Sequence, residues 1–336
     1  MNNPPDRPIR VLIVLYHRFE LWNAPSWFPE RLRSEFPQIE LTHLTRYEGV
    51  ENAVRDAEVV IAWSLRPEQF QAAKRLRWIH SPAAAVHQLM LPELVQSDVV
   101  VTNARGVHGP VVAEHVIAQI LAMAKMLPAA MRFQQQHIWG QEAMWRGRPR
   151  PREVAGATLG LVGLGSIGCE VAKRAAALGM RVIAVREHPE KGRPANVATV
   201  LGLTQVEELL RESDYVVLAA PLTAQTKGLM NAGRLSRMKP NACLINVGRG
   251  PLVDDVALAN ALREKKIGSA ALDVFTEEPL AADSPLWELE NLLITPHTAA
   301  VTEKLWERHY SLIRENLRRY LAGEPLLAVV DKARGY

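Results

Sequence analysis

Short apolar runs alternate with helix-like stretches along most of this chain. Residues 9–16 (I-R-V-L-I-V-L-Y) are compact, apolar and rich in β-branched side chains, the pattern of a strand buried on both faces of a parallel sheet. Residues 58–63, 78–80 and 99–101 predict further strands, separated by polar, helix-like segments. From Pro110 to Met126 the pattern changes. Pro110 suits a first helical position, and Val112, Val116, Ile120 and Met123 recur at helical spacing. The whole face is nearly apolar, so this helix is expected to be buried between domains or subunits.

A basic, proline-rich connector (residues 146–152, R-G-R-P-R-P-R) then leads into a second series. Strands are predicted at 157–162, 181–185, 215–219, 242–246, 269–273 and 292–295, with a helix over 166–178. The last segment, 302–321, is amphipathic, helical and has no strand to follow it. Strands alternating with helices at this spacing indicate parallel α/β sheets, and 336 residues suffice for two such domains.

Composition narrows the function. Forty basic and 36 acidic residues give a net charge of +4, spread thinly along the chain, so no stripe for nucleic acid is present. No apolar stretch is long enough to span a bilayer, and the polar, proline-rich first ten residues do not read as a signal peptide. Cys169 and Cys243 have apolar neighbours and no metal-ligand spacing, so both are expected as buried thiols in a reducing, cytoplasmic setting. No His, Cys or carboxylate spacing suggests a metal.

The most informative segment is Gly163-Leu164-Gly165-Ser166-Ile167-Gly168, a G-x-G-x-x-G loop with a strand before it and a helix behind it. Gly163 permits the tight turn, Gly165 lets the backbone approach a pyrophosphate, and Gly168 lets helix and strand pack closely; the helix start at Ser166 and Ile167 offers unpaired N–H groups. At the tip of the following strand stands Arg186, then Glu187, with Lys191 and Arg193 close behind. An acidic tip would hold the ribose hydroxyls of NAD, whereas Arg grips a 2′-phosphate, so NADP is favoured over NAD. Glu187 would take the tip if the strand ended one residue later.

Three segments downstream lie just past predicted strands, where open α/β sheets bind ligands. They are Asn246-Val247-Gly248-Arg249-Gly250, residues 271–279 (A-L-D-V-F-T-E-E-P) and Thr295-Pro296-His297-Thr298-Ala299-Ala300. With the glycine loop, Pro221-Leu222-Thr223 and Thr226, and Val112-Ala113-Glu114-His115, they resemble the D-isomer-specific 2-hydroxyacid dehydrogenases over nearly the whole chain. The resemblance implies hydride transfer between NAD(P)H and a small 2-oxo or 2-hydroxy acid. It makes His297 the acid/base, Glu278 the carboxylate on its other ring nitrogen, and Arg249 the clamp on the substrate carboxylate. It also places Asp273 near the nicotinamide, with Pro221, Thr226, Val247 and Ala299 lining the cofactor. His115, on an apolar helix, is read as structural.

One stretch departs from the family pattern. Where many members carry a glycine-rich turn whose N–H groups meet the substrate carboxylate, this chain has Ser81-Pro82-Ala83-Ala84-Ala85-Val86-His87. Ala84, Ala85 and Val86 can still present N–H groups but adopt positive φ poorly, which leaves the shape of the turn and the identity of the acid open. Formate dehydrogenase relatives carry Gln where this chain has Glu278, so the carboxylate favours a hydroxy-acid enzyme. The resemblance also implies two doubly wound domains, a flavodoxin-like substrate domain (1–105 with 300–336) and an inserted Rossmann cofactor domain (106–299), closing around the nicotinamide. It further implies a homodimer touching through the helix from Pro110. The alternative from another class is a nicotinamide-sensing, corepressor-like binding protein of the same fold, which would need the glycine loop and not the Arg249, Glu278 and His297 set.

Overall fold

In the computed structural model, residues 7–147 and 149–335 are described; the first six residues of the proline-rich N-terminus, Arg148 of the basic connector and Tyr336 lie outside them. The chain divides into two compact units, Met1–Val107 with Thr302–Tyr336, and His108–Val301.

The first unit is built on β1 (Ile9–Val14), β2 (Ile39–Leu44), β3 (Val59–Ala62), β4 (Trp78–Ser81) and β5 (Val100–Asn103). They form one parallel sheet in the order β2-β1-β3-β4-β5, the flavodoxin-like winding. Leu12, Val14, Val60 and Ile79 fill one face. On the other, Val11, Ile13, Ile61 and Trp78 meet Phe28 and Leu32 of the helix Trp27–Glu35 and Tyr310, Ile313 and Leu317 of the helix Leu305–Ala322. The amphipathic C-terminal segment therefore returns to the first sheet. β2 has no counterpart in the sequence reading: at the sheet edge, Ile39-Glu40-Leu41-Thr42-His43-Leu44 buries only Ile39 fully and lacks a continuous apolar run.

The second unit contains β6 (Thr158–Val162), β7 (Arg181–Val185), β8 (Thr199–Leu201), β9 (Tyr215–Leu218), β10 (Cys243–Asn246), β11 (Ser269–Leu272) and β12 (Leu292–Ile294). All run parallel in the order β12-β11-β10-β9-β6-β7-β8, the Rossmann winding with one further strand. Its topological switch point lies between β6 and β9, beside the glycine loop. The three-residue edge strand β8 is again absent from the sequence reading, being too short to carry a pattern.

Two expectations are corrected. The helix from Pro110, observed as Gly109–Ala124, spends its apolar face inside the second unit: Val112, Ala113, Val116, Ile120 and Ala124 share a core with Leu159, Leu161, Val171 and Ala172. It needs no second subunit to bury that face. Cys169 is exposed, because the glycine-loop helix turns this residue outward; Cys243 is buried, and burial pushes its thiol up to about 11. Among the described residues no single helix is long and apolar enough to cross a membrane.

Candidate active site

The glycine loop leaves β6 at Val162 and enters the helix Ser166–Ala177. Gly163 adopts φ 103°, and a Cβ there would lie 2.7 Å from the backbone of Ala219 at the end of β9. At Gly168 a Cβ would lie 2.2 Å from the Gly163 carbonyl oxygen, so the turn closes only without side chains. At Gly165 a Cβ would meet nothing within 4 Å. That open space stands before a helix start with no side-chain cap, whose first N–H groups have no intrahelical acceptor. The residues present therefore fit the pyrophosphate of a dinucleotide. β7 ends at Val185, so Arg186 is the first residue past the strand, held by its N–H on Leu201 O at 3.0 Å; Glu187 follows, exposed.

Other expected cofactor residues take different positions. Pro221 is exposed, whereas the Thr226 hydroxyl is turned into its own loop, donating to Pro221 O at 2.7 Å and accepting from Thr223 N at 2.7 Å. Val247 and Ala299 bury their side chains in the core, which leaves only their backbones for a ligand.

Past β10 the chain makes a compact turn around Asn246. Its Oδ1 accepts from Gly248 N at 3.0 Å and its Nδ2 donates to Arg249 O at 3.0 Å, so the amide holds the backbone of Gly248 at one end and of Arg249 at the other. Arg249 Nη1 in turn donates to Gly248 O at 2.6 Å. Gly250 sits so close to the β11 loop that a Cβ would come within 1.9 Å of the Phe275 backbone. Burial lowers the Arg249 pKa from its ordinary value, opposed by the Glu278 charge. The guanidinium and this carboxylate are electrostatic neighbours.

The loops after β11 and β12 meet in a second constellation. Glu278 Oε2 lies 2.6 Å from His297 Nδ1, and its Oε1 accepts from Phe275 N at 2.9 Å. Burial raises the Glu278 pKa, but the His297 hydrogen bond, the Phe275 N–H and the neighbouring charges outweigh it and hold the carboxyl below its usual range. Glu278 is thus a carboxylate at neutral pH. His297 itself adopts φ 54°, a left-handed conformation that costs a non-glycine residue about 1–3 kcal/mol. Asp273, expected at the nicotinamide, supplies the restraint. Its main-chain oxygen accepts from His297 N at 2.9 Å, Oδ1 from Thr298 N at 2.9 Å and Oδ2 from Ala299 N at 3.0 Å. Only 1% exposed, Asp273 acts on the loop that carries the histidine.

The structure therefore joins His297, Glu278 and Asp273 directly and sets Arg249 beside Glu278. Two participants carry no role in the sequence reading. Thr295 donates to Asp273 Oδ1 at 2.6 Å, and His115 lies 3.1 Å from the Thr295 hydroxyl. The signal was present: His115 and Gln119 stand one turn apart on a helix whose only other polar side chain is the exposed Glu114.

In the first unit, the turn after β4 is braced by the end of β5. Ala83 O accepts from Ala104 N at 3.3 Å, and Ala84 O accepts from Asn103 Nδ2 at 2.6 Å. None of Ala83, Ala84, Ala85 and Val86 has positive φ, so the alanines are unstrained. Val86 buries its side chain fully in the core, and only its N–H remains for a ligand. The N–H groups of Ala84, Ala85 and Val86 donate to no other described residue. No metal-binding group of three or more His, Cys, Asp or Glu side chains occurs among the described residues.

Comparison with known proteins gives concordant matches. Residues 117–299 match the family model for the NAD binding domain of D-isomer specific 2-hydroxyacid dehydrogenases. A glyoxylate reductase of Korarchaeum cryptofilum is 35% identical over 277 residues, covering 81% of this chain and 82% of that protein. A D-3-phosphoglycerate dehydrogenase of Methanocaldococcus jannaschii is 33% identical over 90% of this chain, which spans 57% of its length. Among solved structures, an NADPH-dependent glyoxylate/hydroxypyruvate reductase from Sinorhizobium meliloti, in complex with NADP and sulfate, superposes with a TM-score of 0.81. It shares 27% identity, with 98% of this chain and 100% of that chain covered.

Proposed function

The chain belongs to the D-isomer specific 2-hydroxyacid dehydrogenase family, whose members are NAD(P)-dependent oxidoreductases, and from that premise we propose that it reduces a small 2-oxo acid of glyoxylate or hydroxypyruvate size with NADPH. The observation that carries this reading is the 2.6 Å contact of His297 with the Glu278 carboxylate, beside Arg249. When bound, the nicotinamide supplies the hydride that adds to the carbonyl carbon of the acid.

The side chains do the rest. Protonated His297 donates from Nε2 to the carbonyl oxygen as charge develops there, while Glu278 holds Nδ1–H and compensates the imidazolium. Arg249, partly buried, clamps the substrate carboxylate with its forked donors. Ala84, Ala85 and Val86 carry backbone N–H groups suited to a carboxylate, and we assign the unit that contains them as the substrate domain. Gly163, Gly165, Ser166, Ile167 and Gly168 cradle the pyrophosphate, and Arg186 reads the 2′-phosphate.

A homodimer is part of this reading. Leu127, Met131, Ile138, Trp139 and Trp145 are exposed within one short stretch, Trp139 by 88%, and a second copy would cover them. A sedimentation mass of one chain would refute the dimer. For the activity, oxidation of NADPH and NADH is followed in parallel against glyoxylate, hydroxypyruvate and pyruvate. Faster turnover with NADPH supports Arg186 as the phosphate reader, and faster turnover with NADH assigns the strand tip to the ribose. Turnover with none of the three acids removes this substrate class and returns the sensing alternative.

A further inference from the structure

The helix Gly109–Ala124 packs Val112, Ala113, Val116 and Ile120 into the core, yet it also carries His115 and Gln119 on that side. Both end on one atom. Thr295 Oγ1 lies 3.1 Å from His115 Nε2 and 3.4 Å from Gln119 Nε2. The hydroxyl has a single proton, and the 2.6 Å contact with Asp273 Oδ1 takes it, because a carboxylate only accepts. Its two lone pairs therefore face the helix, and both helix side chains must donate. Gln119 does so through its amide, and His115 as the Nε2–H tautomer. Burial lowers the His115 pKa against the pull of Asp273, which keeps the ring neutral near pH 7. Beyond Asp273 the chain of contacts reaches the N–H groups of His297, Thr298 and Ala299.

We propose that His115 and Gln119 are positioning residues for His297: they fix the Thr295 hydroxyl on Asp273, which holds residues 297–299 in the left-handed turn that keeps the imidazole on Glu278. These two polar side chains on the core-facing side of the helix are accounted for by this duty: neither has another side-chain hydrogen bond among the described residues, and His115 Nε2 also lies 3.6 Å from Asp273 Oδ1, the group to be held. The inference rests on His297 being the acid of the reaction.

The test replaces the donor while keeping the volume. In His115→Leu, kcat falls by about 10- to 100-fold while KM for NADPH changes much less, because the reacting group is displaced and the glycine loop is not. The melting temperature stays level or rises, since Leu suits the apolar face. His115→Gln, which restores an N–H donor, keeps most of the kcat. Wild-type kcat in His115→Leu, or equal loss in the Leu and Gln variants, overturns the proposal. Thr295→Val and Thr295→Ser repeat the experiment from the other side should the Leu variant not fold: loss in Val with retention in Ser is expected, and wild-type kcat in Val overturns it. His297→Ala in the same assay separates the two levels. If that variant also turns over normally, the reading of His297 fails; if it is slow while His115→Leu is not, only this inference fails.

Discussion

His80 lies within β4 of the first unit with its ring wholly enclosed, whereas His297 follows β12 of the second with about half its side chain exposed. His80 Nδ1 contacts the Thr102 hydroxyl at 2.8 Å, Nε2 is buried with no hydrogen-bond partner among the described residues, and burial pushes the ring down to about 3. His297 has a carboxylate on one nitrogen and a strained backbone beneath it. The same residue type, within a parallel strand of one unit and just past a parallel strand of the other, is a neutral core group in the first place and the proposed proton donor in the second. What separates them is a paired carboxylate and exposure of the ring.

The largest effect that bears on this contrast is expected from His297→Ala, which should lower kcat by roughly 10² to 10⁴ if general acid catalysis is lost. A steady-state assay with NADPH and glyoxylate measures it, and near-normal turnover would place His297 with His80 as a structural residue. Next comes Arg249→Lys. Lys cannot make the forked contact with a carboxylate, so KM for the acid should rise by roughly 10- to 100-fold. An unchanged KM would place the clamp elsewhere, with the N–H groups at Ala84 to Val86 as the next candidates.

The third prediction concerns His80. Its folded pKa lies below the ordinary value of 6.5, so the unfolded chain takes up the proton first on acidification. Stability is fully present above about pH 6.5 and declines by roughly 1.4 kcal/mol per pH unit toward about pH 3. Urea unfolding of the wild type and His80→Phe across that range reads the slope, which should be shallower in the variant; identical slopes would show that His80 does not titrate on unfolding. The smallest effect is expected at Ala84→Gly. Because φ is negative there, glycine relieves no strain and should cost about 0.4–1 kcal/mol through unfolded-chain entropy. A gain in stability would reveal strain in the alanine turn after all.

Ten of the twelve strands among the described residues follow from apolar runs, because a strand buried on both faces needs nearly every position to be apolar. The edge strands β2 and β8 escape that logic, having one covered side or too few residues. The glycine loop is legible because sterics admit no alternative at Gly163 and Gly168. The contact of Glu278 with His297 is foreseen as a pairing of motifs. Its support is not, since the roles of Asp273 and Thr295 depend on which way loop side chains turn, and Val86, Val247 and Ala299 turned inward for the same reason. His115 is the clearest instance: a polar residue on a largely apolar helix suggests a satisfied core group until the atom it meets is known.

The first unit is discontinuous in the chain, and this bears on synthesis. Tyr310, Ile313 and Leu317 complete the core around Phe28 and Trp78, and Val330 N bonds Val101 O at 2.8 Å. An emerging polypeptide therefore makes all five strands of the first sheet before the helix that covers them has been translated. The second unit is contiguous and can close beforehand. The second unit can thus close before the first, whose sheet has this face covered only in part, by the helix Trp27–Glu35, until residues 305–322 emerge.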